Sequence, residues 1–162
     1  MSLYLSVFTL VHVAISLVAI VTGYLVIYDM LNARESRPVT LTFLVTTVLT
    51  SLTGFGFPVN RILPAHVIAV ISLVALGVAL VGRYVHRLAG KWRAIYVLSA
   101  VFAQYLDVFV LIVQGFLKVP ALHALAPSQS EPAFALVQGA NLVAFVAMGG
   151  LAVKRFHLPG DV

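Results

Sequence analysis

The chain has 162 residues, of which 62% are hydrophobic and only 9% are charged, and its mean hydropathy is +1.09. Soluble domains carry charge on about a quarter of their residues, so this composition excludes an ordinary water-soluble protein and indicates one membrane-embedded unit. The formal net charge of +5 does not indicate nucleic acid binding, because the basic residues lie in short turns between apolar runs. Cysteine is absent, which excludes disulfides, iron–sulfur clusters and covalently attached haem of the c type.

Five apolar runs separated by charged residues predict five membrane-spanning helices. A helix needs about 20 apolar residues to cross roughly 30 Å of hydrocarbon, and a charge inside the run is costly. The charged residues therefore mark the ends of the runs. The predicted spans cover about residues 3–28, 39–58, 63–82, 94–117 and 132–153. The first run is too long for a secretory signal and has no positive leader, so we expect it to remain as the first span.

Lysine and arginine collect on one side of the predicted bundle. Eight of the ten lie in the first turn, the third turn and the C-terminal tail, whereas the opposite side has Arg61 and Lys118. Cytoplasmic loops are enriched in these residues. The sequence therefore predicts an all-α polytopic bundle of five transmembrane helices, with the N-terminus outside and the C-terminus in the cytoplasm.

One acidic residue, Asp107, falls inside a predicted span. An acid at the bilayer centre costs about 2.5–3.5 kcal/mol on insertion scales and usually faces a partner or a wet cavity. Counting at 1.5 Å per residue places four polar residues, each from a different span, roughly 13–16 Å below the outer edge. They are His12, Thr50, Asp107 and Asn141. The sequence thus predicts a polar layer in which His12 and Asp107 hydrogen-bond.

Two interpretations of this layer stay open. In the first, it is a working site where His12 and Asp107 share a proton or hold an ion or the polar head of a ligand. In the second, it is an interhelical clamp whose hydrogen bonds fix how the bundle assembles.

A second polar group lies nearer the predicted outer surface. Gln114 and Gln138 extend the predicted ligand- or proton-binding site there, and His66 with His123 forms a candidate metal site. The short His-x-x-x-His spacing of many metal sites is absent. The connection 119–127 is expected to lie along the membrane surface as a lid.

Haem and quinone are the cofactors that the sequence leaves open. Haem held by two histidines needs both ligands at similar depth, but His12 is predicted well inside the membrane and His66 near its outer edge. For His12 and His66 to bind one haem, their depths in the membrane would have to become similar, which is a shift of roughly the length of five helical residues. His86 and His157 fall on the cytoplasmic side. A quinone requires less, since one histidine and one acid near aromatic residues can bind a quinol head.

The His-Arg-x-x-Gly turn at 86–90 and the connection Ala126–Pro132 resemble those of small bacterial inner-membrane proteins of four or five helices. The resemblance covers most of the chain in layout. It implies a bacterial inner membrane, and it supplies no activity and no catalytic residues.

The predicted function is binding of a small ligand or a proton at the polar site, for transport or for membrane redox chemistry. No nucleophile, metal or phosphate motif indicates an enzyme. The unequal spans show no inverted repeat, although a homo-oligomer would supply symmetry. The alternative is a structural or accessory subunit of a larger membrane complex. The expected partner in either case is the lipid bilayer, not nucleic acid.

Overall fold

The computed structural model describes residues 3–57 and 64–157, and these are helical without any strand. A π-helical turn at Val81–Val85 continues the third helix. The predicted all-α fold is therefore confirmed for this part of the chain. Its helices are α1 (Leu3–Leu31), α2 (Arg37–Gly54), α3 (Pro64–Leu80), α4 (Lys91–Lys118), α5 (Pro120–Leu125) and α6 (Pro132–Arg155).

Four helices of the described ranges are long and apolar enough to cross a membrane, judged by length and composition. They are α1, α3 with its π-helical turn, α4 and α6, and they correspond to four of the five predicted spans. The second predicted span, α2, has 18 residues and does not meet the same measure, because Arg37 and repeated threonines make it less apolar. The predicted boundaries at residues 58 and 63 lie outside the described residues.

Three of the six threonines of α2 satisfy their hydroxyl groups within the helix. Thr42, Thr46 and Thr53 each donate to the carbonyl oxygen four residues earlier, over 2.9, 2.7 and 2.7 Å. Such bonds remove most of the cost of placing a hydroxyl group in apolar surroundings. These three threonines are therefore compatible with a helix in lipid.

Prolines stand at the beginnings of α5 and α6, and a carboxylate accepts hydrogen bonds in the turn before α6. Pro120 and Pro132 stand in the first turns of α5 and α6, where a backbone N–H would have no helical partner. Before α6, the hydroxyl and the backbone N–H of Ser128 donate to Glu131 over 2.8 and 3.1 Å. These bonds hold the pKa of the exposed Glu131 carboxyl group below its usual range.

The helix α4 is central to the bundle. It packs against α1, α3 and α6, while α2 packs against α1 and α3. Helices α1 to α4 therefore form a ring, and the short connections between them make successive helices antiparallel. Helix α6 lies outside this ring, against α4 and α1.

Most of the hydrophobic core lies in one half of the ring. Large, fully buried side chains such as Met30, Phe43, Leu76 and Tyr96 lie in the C-terminal halves of α1 and α3 and in the N-terminal halves of α2 and α4. Residues 3–18 of α1, by contrast, include no buried side chain. The ring thus has a packed half and a loosely filled half.

An ion pair between Glu35 and Arg83 closes the packed half. Glu35 lies in the turn between α1 and α2, and Arg83 lies in the π-helical turn after α3. Their side chains are only 16% and 9% exposed, and the guanidinium carbon lies 5.6 Å from the centre of the Tyr96 ring. Removing one partner of a buried pair typically costs about 3–5 kcal/mol. The pair therefore fastens the α1–α2 turn to the end of α3.

Helices α1 and α4 meet where Gln104 lies over Gly23. The Gln104 side chain is fully buried, and its Nε2 donates to the carbonyl oxygen of Ile20 over 2.8 Å. A Cβ added at Gly23 would lie 1.9 Å from Oε1 of Gln104. Only glycine leaves room for the amide, so this contact closes the ring between its first and fourth helices.

We expect Gly23→Ala to lower the free energy of unfolding by about 1–3 kcal/mol, because the new Cβ displaces the Gln104 amide from its bond to Ile20. Gly139→Ala in α6 is the matched control, since no described atom lies within 4 Å of a Cβ placed there. Thermal unfolding of both variants in one detergent, followed by circular dichroism, provides the measurement. Equal Tm values for the two variants would contradict this account of the contact.

Candidate functional site

The loosely filled half of the ring contains a cavity of about 530 Å³, lined by α1, α2, α3 and α4. This volume is in the range of small-molecule sites. The lining extends from Ile20 and Leu106 at the inner end to Phe57 and Lys118 at the mouth, and most of it is apolar. The polar side chains that line it are Thr9, His12, Ser16, Thr50, Ser51, His66, Ser72, Asp107, Gln114 and Lys118.

Asp107 lies toward the inner end of the cavity. Its Oδ2 is buried and makes no hydrogen bond to any described residue. The hydroxyl of the fully buried Thr47 lies beside the carboxyl group. The buried hydroxyl oxygens of Thr50 and Ser72 also have no hydrogen-bond partner within residues 3–57 and 64–157. The inner end therefore presents polar groups that a proton or a ligand would satisfy, since each one left unpaired costs about 1–3 kcal/mol.

His12 is held by Thr53 of the facing helix. Its Nδ1 lies 2.8 Å from the Thr53 hydroxyl oxygen, and the same oxygen lies 2.7 Å from the carbonyl oxygen of Leu49. When the hydroxyl donates to Leu49, Thr53 accepts from the Nδ1–H of His12, and when it donates to His12, Nδ1 is the acceptor, so the contact allows either tautomer of the neutral ring. The imidazole also packs edge-on against Phe57, with ring centres 5.1 Å apart.

The predicted polar layer is divided into two levels. His12 pairs with Thr53 rather than with Asp107, whose carboxyl group lies beside Thr47. Six residues of α2 separate these two threonines, which is about 9 Å along a helix. Thr50, which was predicted at the same depth, lies on α2 between these two threonines, and His12, Thr50 and Asp107 all line the same cavity.

His66 contacts the residue that follows α2. Its ring stacks on Phe55, with centres 5.5 Å apart and an angle of 16° between the planes. The sequence separated these two histidines in depth, whereas the structure places both beside the C-terminal end of α2, on the α1 and α3 walls of one cavity.

The residues predicted on α6 lie away from the cavity. Neither Gln138 nor Asn141 belongs to the described lining. Gln138 Nε2 donates to the carbonyl oxygen of Phe109 over 3.2 Å, which joins α6 to α4. The Oε1 of Gln138 and the Nδ2 of Asn141 are buried without a hydrogen-bond partner among the residues placed. Gln114, by contrast, lines the cavity on α4.

The candidate metal residues His66 and His123 occupy different places. His66 lines the cavity, while Nδ1 of His123 on α5 donates to the carbonyl oxygen of Phe116 over 3.2 Å. No group of three or more His, Cys, Asp or Glu that could hold a metal ion occurs in the described part of the chain. The connection predicted to act as a lid includes α5, which packs on the end of α4. Leu122 there approaches Gly115 of the cavity wall.

Sequence reasoning missed Gln104. It is a polar residue inside a predicted span, three positions before Asp107, and that placement alone was a signal of an interhelical partner. Thr53 is one of six threonines on α2, and its spacing alone does not distinguish it from the others. Its contact with His12 depends on how α1 packs against the last turn of α2.

Comparisons with family models, with curated proteins and with solved structures identify no match for this chain. Its function is therefore inferred from the cavity and its residues.

We expect a cysteine introduced at Ala69, on the cavity wall, to react with a water-soluble maleimide at least about tenfold faster than one at Ala75, because thiol reactivity follows access. Ala75 is the matched control, since it lies on the same helix but is only 7% exposed. The chain has no cysteine of its own to interfere. Labelling of each purified variant, followed by mass spectrometry, gives the rates, and equal rates would mean that the cavity does not admit water.

Proposed function

We propose that this chain is an inner-membrane protein of five spans that binds a small ligand or a proton in the α1–α4 cavity, for transport or for membrane redox chemistry. The observation that carries this proposal is the buried Asp107 carboxyl group, whose Oδ2 has no partner in the described structure although it borders a cavity of about 530 Å³. Carboxyl groups inside membrane spans are costly, and they usually mark ion, proton or substrate pathways.

The fifth span of this proposal is α2. Three of its threonine hydroxyls bond to its own backbone, and it packs between α1 and α3, which are both apolar enough to cross a membrane. Because α2 contacts two helices that can cross a membrane, we place α2 in the same bilayer. Five spans also agree with the alternation of basic and non-basic connections along the sequence.

The cavity faces outward in this proposal. The basic connections adjoin the packed half of the ring, where Glu35 and Arg83 pair. The cavity occupies the other half, whose mouth includes Lys118. Because Lys and Arg are enriched on the cytoplasmic side, the packed half faces the cytoplasm and a ligand enters from the opposite surface.

Single cysteines in the connections test this orientation. On intact bacterial cells, a membrane-impermeant maleimide is expected to label Ser130→Cys, before α6, and to label Ala89→Cys, before α4, only after permeabilisation. Both positions are exposed, so access to the side of the membrane decides the result. The reverse pattern, or labelling of both cysteines from one side, would rule out the proposed topology.

The cavity suits a ligand with an apolar body and a polar head. Its walls are mainly aliphatic, and its polar groups gather near the inner end at Asp107 and near the mouth at His12 and His66. Water is excluded from the packed half below it, where Leu44 and Leu76 are almost completely buried. A ligand head or proton that reaches Asp107 would therefore replace solvent as its hydrogen-bond partner.

Replacing Asp107 with asparagine is expected to reduce proton flux at least about tenfold, because the amide keeps the shape of the side chain but cannot bind and release a proton. The assay uses liposomes that contain a pH-sensitive dye and a potassium diffusion potential. Asp29→Asn is the matched control. It makes the same change outside the cavity lining, where the Asp29 carboxylate accepts from the backbone N–H of Ser36 over 3.2 Å.

Wild-type flux equal to that of empty liposomes, or equal flux for wild type and Asp107→Asn, would refute the proton-binding role. Asp107 would then be a packing clamp between α2 and α4.

A further inference from the structure

The inner end of the cavity has oxygen-bearing side chains on three of its four walls. Because successive helices are antiparallel, the innermost lining residue is the last one on α1 and α3 and the first one on α2 and α4. These positions are Ile20 on α1, Thr50 on α2, Ser72 on α3 and Leu106 on α4, and Asp107 follows Leu106. One carboxyl group and two hydroxyl groups, each from a different helix, therefore lie where the cavity ends.

The oxygen atoms of these side chains are buried and unpaired. Oδ2 of Asp107, Oγ1 of Thr50 and Oγ of Ser72 make no hydrogen bond to a described residue. The hydroxyl of Thr47, about one turn deeper on α2 and beside the Asp107 carboxyl group, is also buried without a partner of normal hydrogen-bond geometry in the described ranges. Buried polar atoms in proteins nearly always have a partner, so the four oxygens indicate a bound species among them.

We propose that these oxygens form a binding site for Na⁺, with the Asp107 carboxylate as the charged ligand and the hydroxyls of Thr47, Thr50 and Ser72 as neutral ligands. The proposal rests on the function proposed above, because it names the small ligand that the inner end of the same cavity takes. Carboxylate and other neutral oxygen atoms are the ligands that hard cations prefer. Water in the cavity would complete the coordination.

The charge of the site favours a monovalent ion. Asp107 is the acidic residue of the described lining, and its carboxylate supplies one negative charge. Na⁺ neutralises that charge, whereas Ca²⁺ or Mg²⁺ would leave a net positive charge in apolar surroundings, which is costly. Sites for Ca²⁺ usually supply several carboxylates, and the described part of the chain has no group of three or more His, Cys, Asp or Glu that could hold a metal ion.

A proton by itself accounts for fewer of the unpaired atoms than a cation does. Protonation gives the Asp107 carboxyl group one O–H donor, which satisfies one acceptor. A hard cation instead contacts several oxygen atoms at once. Each hydroxyl that binds it through oxygen can still donate its hydrogen to a carbonyl group of its own helix. Na⁺ therefore explains why unpaired oxygens from three helices lie at one end of the cavity.

Na⁺ and a proton compete for Asp107 in this site. When Na⁺ binds to the protonated site, the carboxyl group releases one proton to the cavity, so the net charge of the site is zero in both states. The same carboxyl group thus exchanges one monovalent cation for another, which links the Na⁺ site to the proposed proton flux.

Other ionisable groups around Asp107 lie away from the inner end. Those that share the cavity lining are all nearer the mouth, and they are His12 on α1, His66 on α3 and Lys118 on α4. The charged residues of α2 and α6 lie in the first turn and the last turn of these helices, respectively. The rings of Tyr24 on α1 and Tyr105 on α4 pack against Phe145 of α6. Asp107 is therefore the titrating group that the competition addresses.

The test measures binding of radioactive Na⁺ to the full chain, purified in detergent in choline chloride. We expect saturable binding of close to one Na⁺ per chain, displaced by unlabelled Na⁺ but not by the same concentration of Ca²⁺. Asp107→Asn should lower the affinity at least about tenfold, because the ion loses its counter-charge. A wild type without saturable Na⁺ binding, or one from which Ca²⁺ displaces Na⁺ more readily than Na⁺ does, would overturn the proposal.

Variants of the hydroxyl residues assign the neutral ligands. Thr47→Val and Ser72→Ala should each weaken Na⁺ binding about tenfold, because each removes one oxygen from the ion. Thr46→Val is the matched control, since the Thr46 hydroxyl donates to the carbonyl oxygen of Thr42 outside the cavity lining, and it should keep the wild-type affinity. Size-exclusion profiles and circular dichroism separate loss of the ion from loss of fold. Wild-type affinity in both Thr47→Val and Ser72→Ala would overturn the assignment.

The pH dependence tests the competition. Lowering the pH should weaken Na⁺ binding by up to about tenfold per pH unit, because protonation of the carboxylate removes the charged ligand. In weak buffer, at a pH low enough to protonate the free site, added NaCl should release protons from the wild type and none from Asp107→Asn, as read by an indicator dye. Na⁺ affinity that is independent of pH would overturn the shared site.

The sodium site and the proposed function can fail separately. A wild type that binds no Na⁺ but shows Asp107-dependent proton flux would overturn the sodium site and leave the proposed function intact. Na⁺ binding that depends on Asp107, without that flux, would support the sodium site and refute the proton flux.

Discussion

The contact between Gln104 and Gly23 is the constraint on which the rest of the structure depends. A buried amide in apolar surroundings must find a partner, and the carbonyl oxygen of Ile20 is reached only because position 23 has no side chain. The contact fixes α4 against α1 although 84 residues separate Ile20 from Gln104. Since α4 also packs against α3 and α6, the position of α4 sets the position of the other helices.

The ring of α1 to α4 has a packed half and a loosely filled half. In the packed half, bulky residues such as Met30, Phe43 and Tyr96 fill the space between the helices, and the Glu35–Arg83 pair seals the end. In the loosely filled half, glycine, alanine, serine and threonine dominate the positions of α2 and α3 that line the cavity. Small side chains on these two helices therefore contribute to the cavity.

The cavity brings together two kinds of chemistry at different depths. The histidines lie beside the last turn of α2, and Asp107 lies about 9 Å deeper, beside Thr47. In the proposed function, this separation would let a ligand occupy the mouth while a proton is held further inside. The packed half below Asp107 would then be the barrier of the proposed transport. A ligand at His12 and His66 and a proton at Asp107 would then occupy opposite ends of one cavity.

The sequence by itself determined which segments are helical and apolar, where charge interrupts them and which acid lies inside a span, because the cost of burying charge acts on each residue locally. It also pointed to His12, Thr50, Asp107 and Gln114, which all line the cavity. Only the tertiary structure decided that His12 pairs with Thr53, that His66 stacks on Phe55 after α2 and that Asn141 lies outside the cavity lining. Those outcomes depend on how far each helix is shifted and rotated against its neighbours. These shifts are set by contacts between residues far apart in the chain, such as Gln104 and Gly23. Helix periodicity and counting from the ends of the spans do not reveal such contacts.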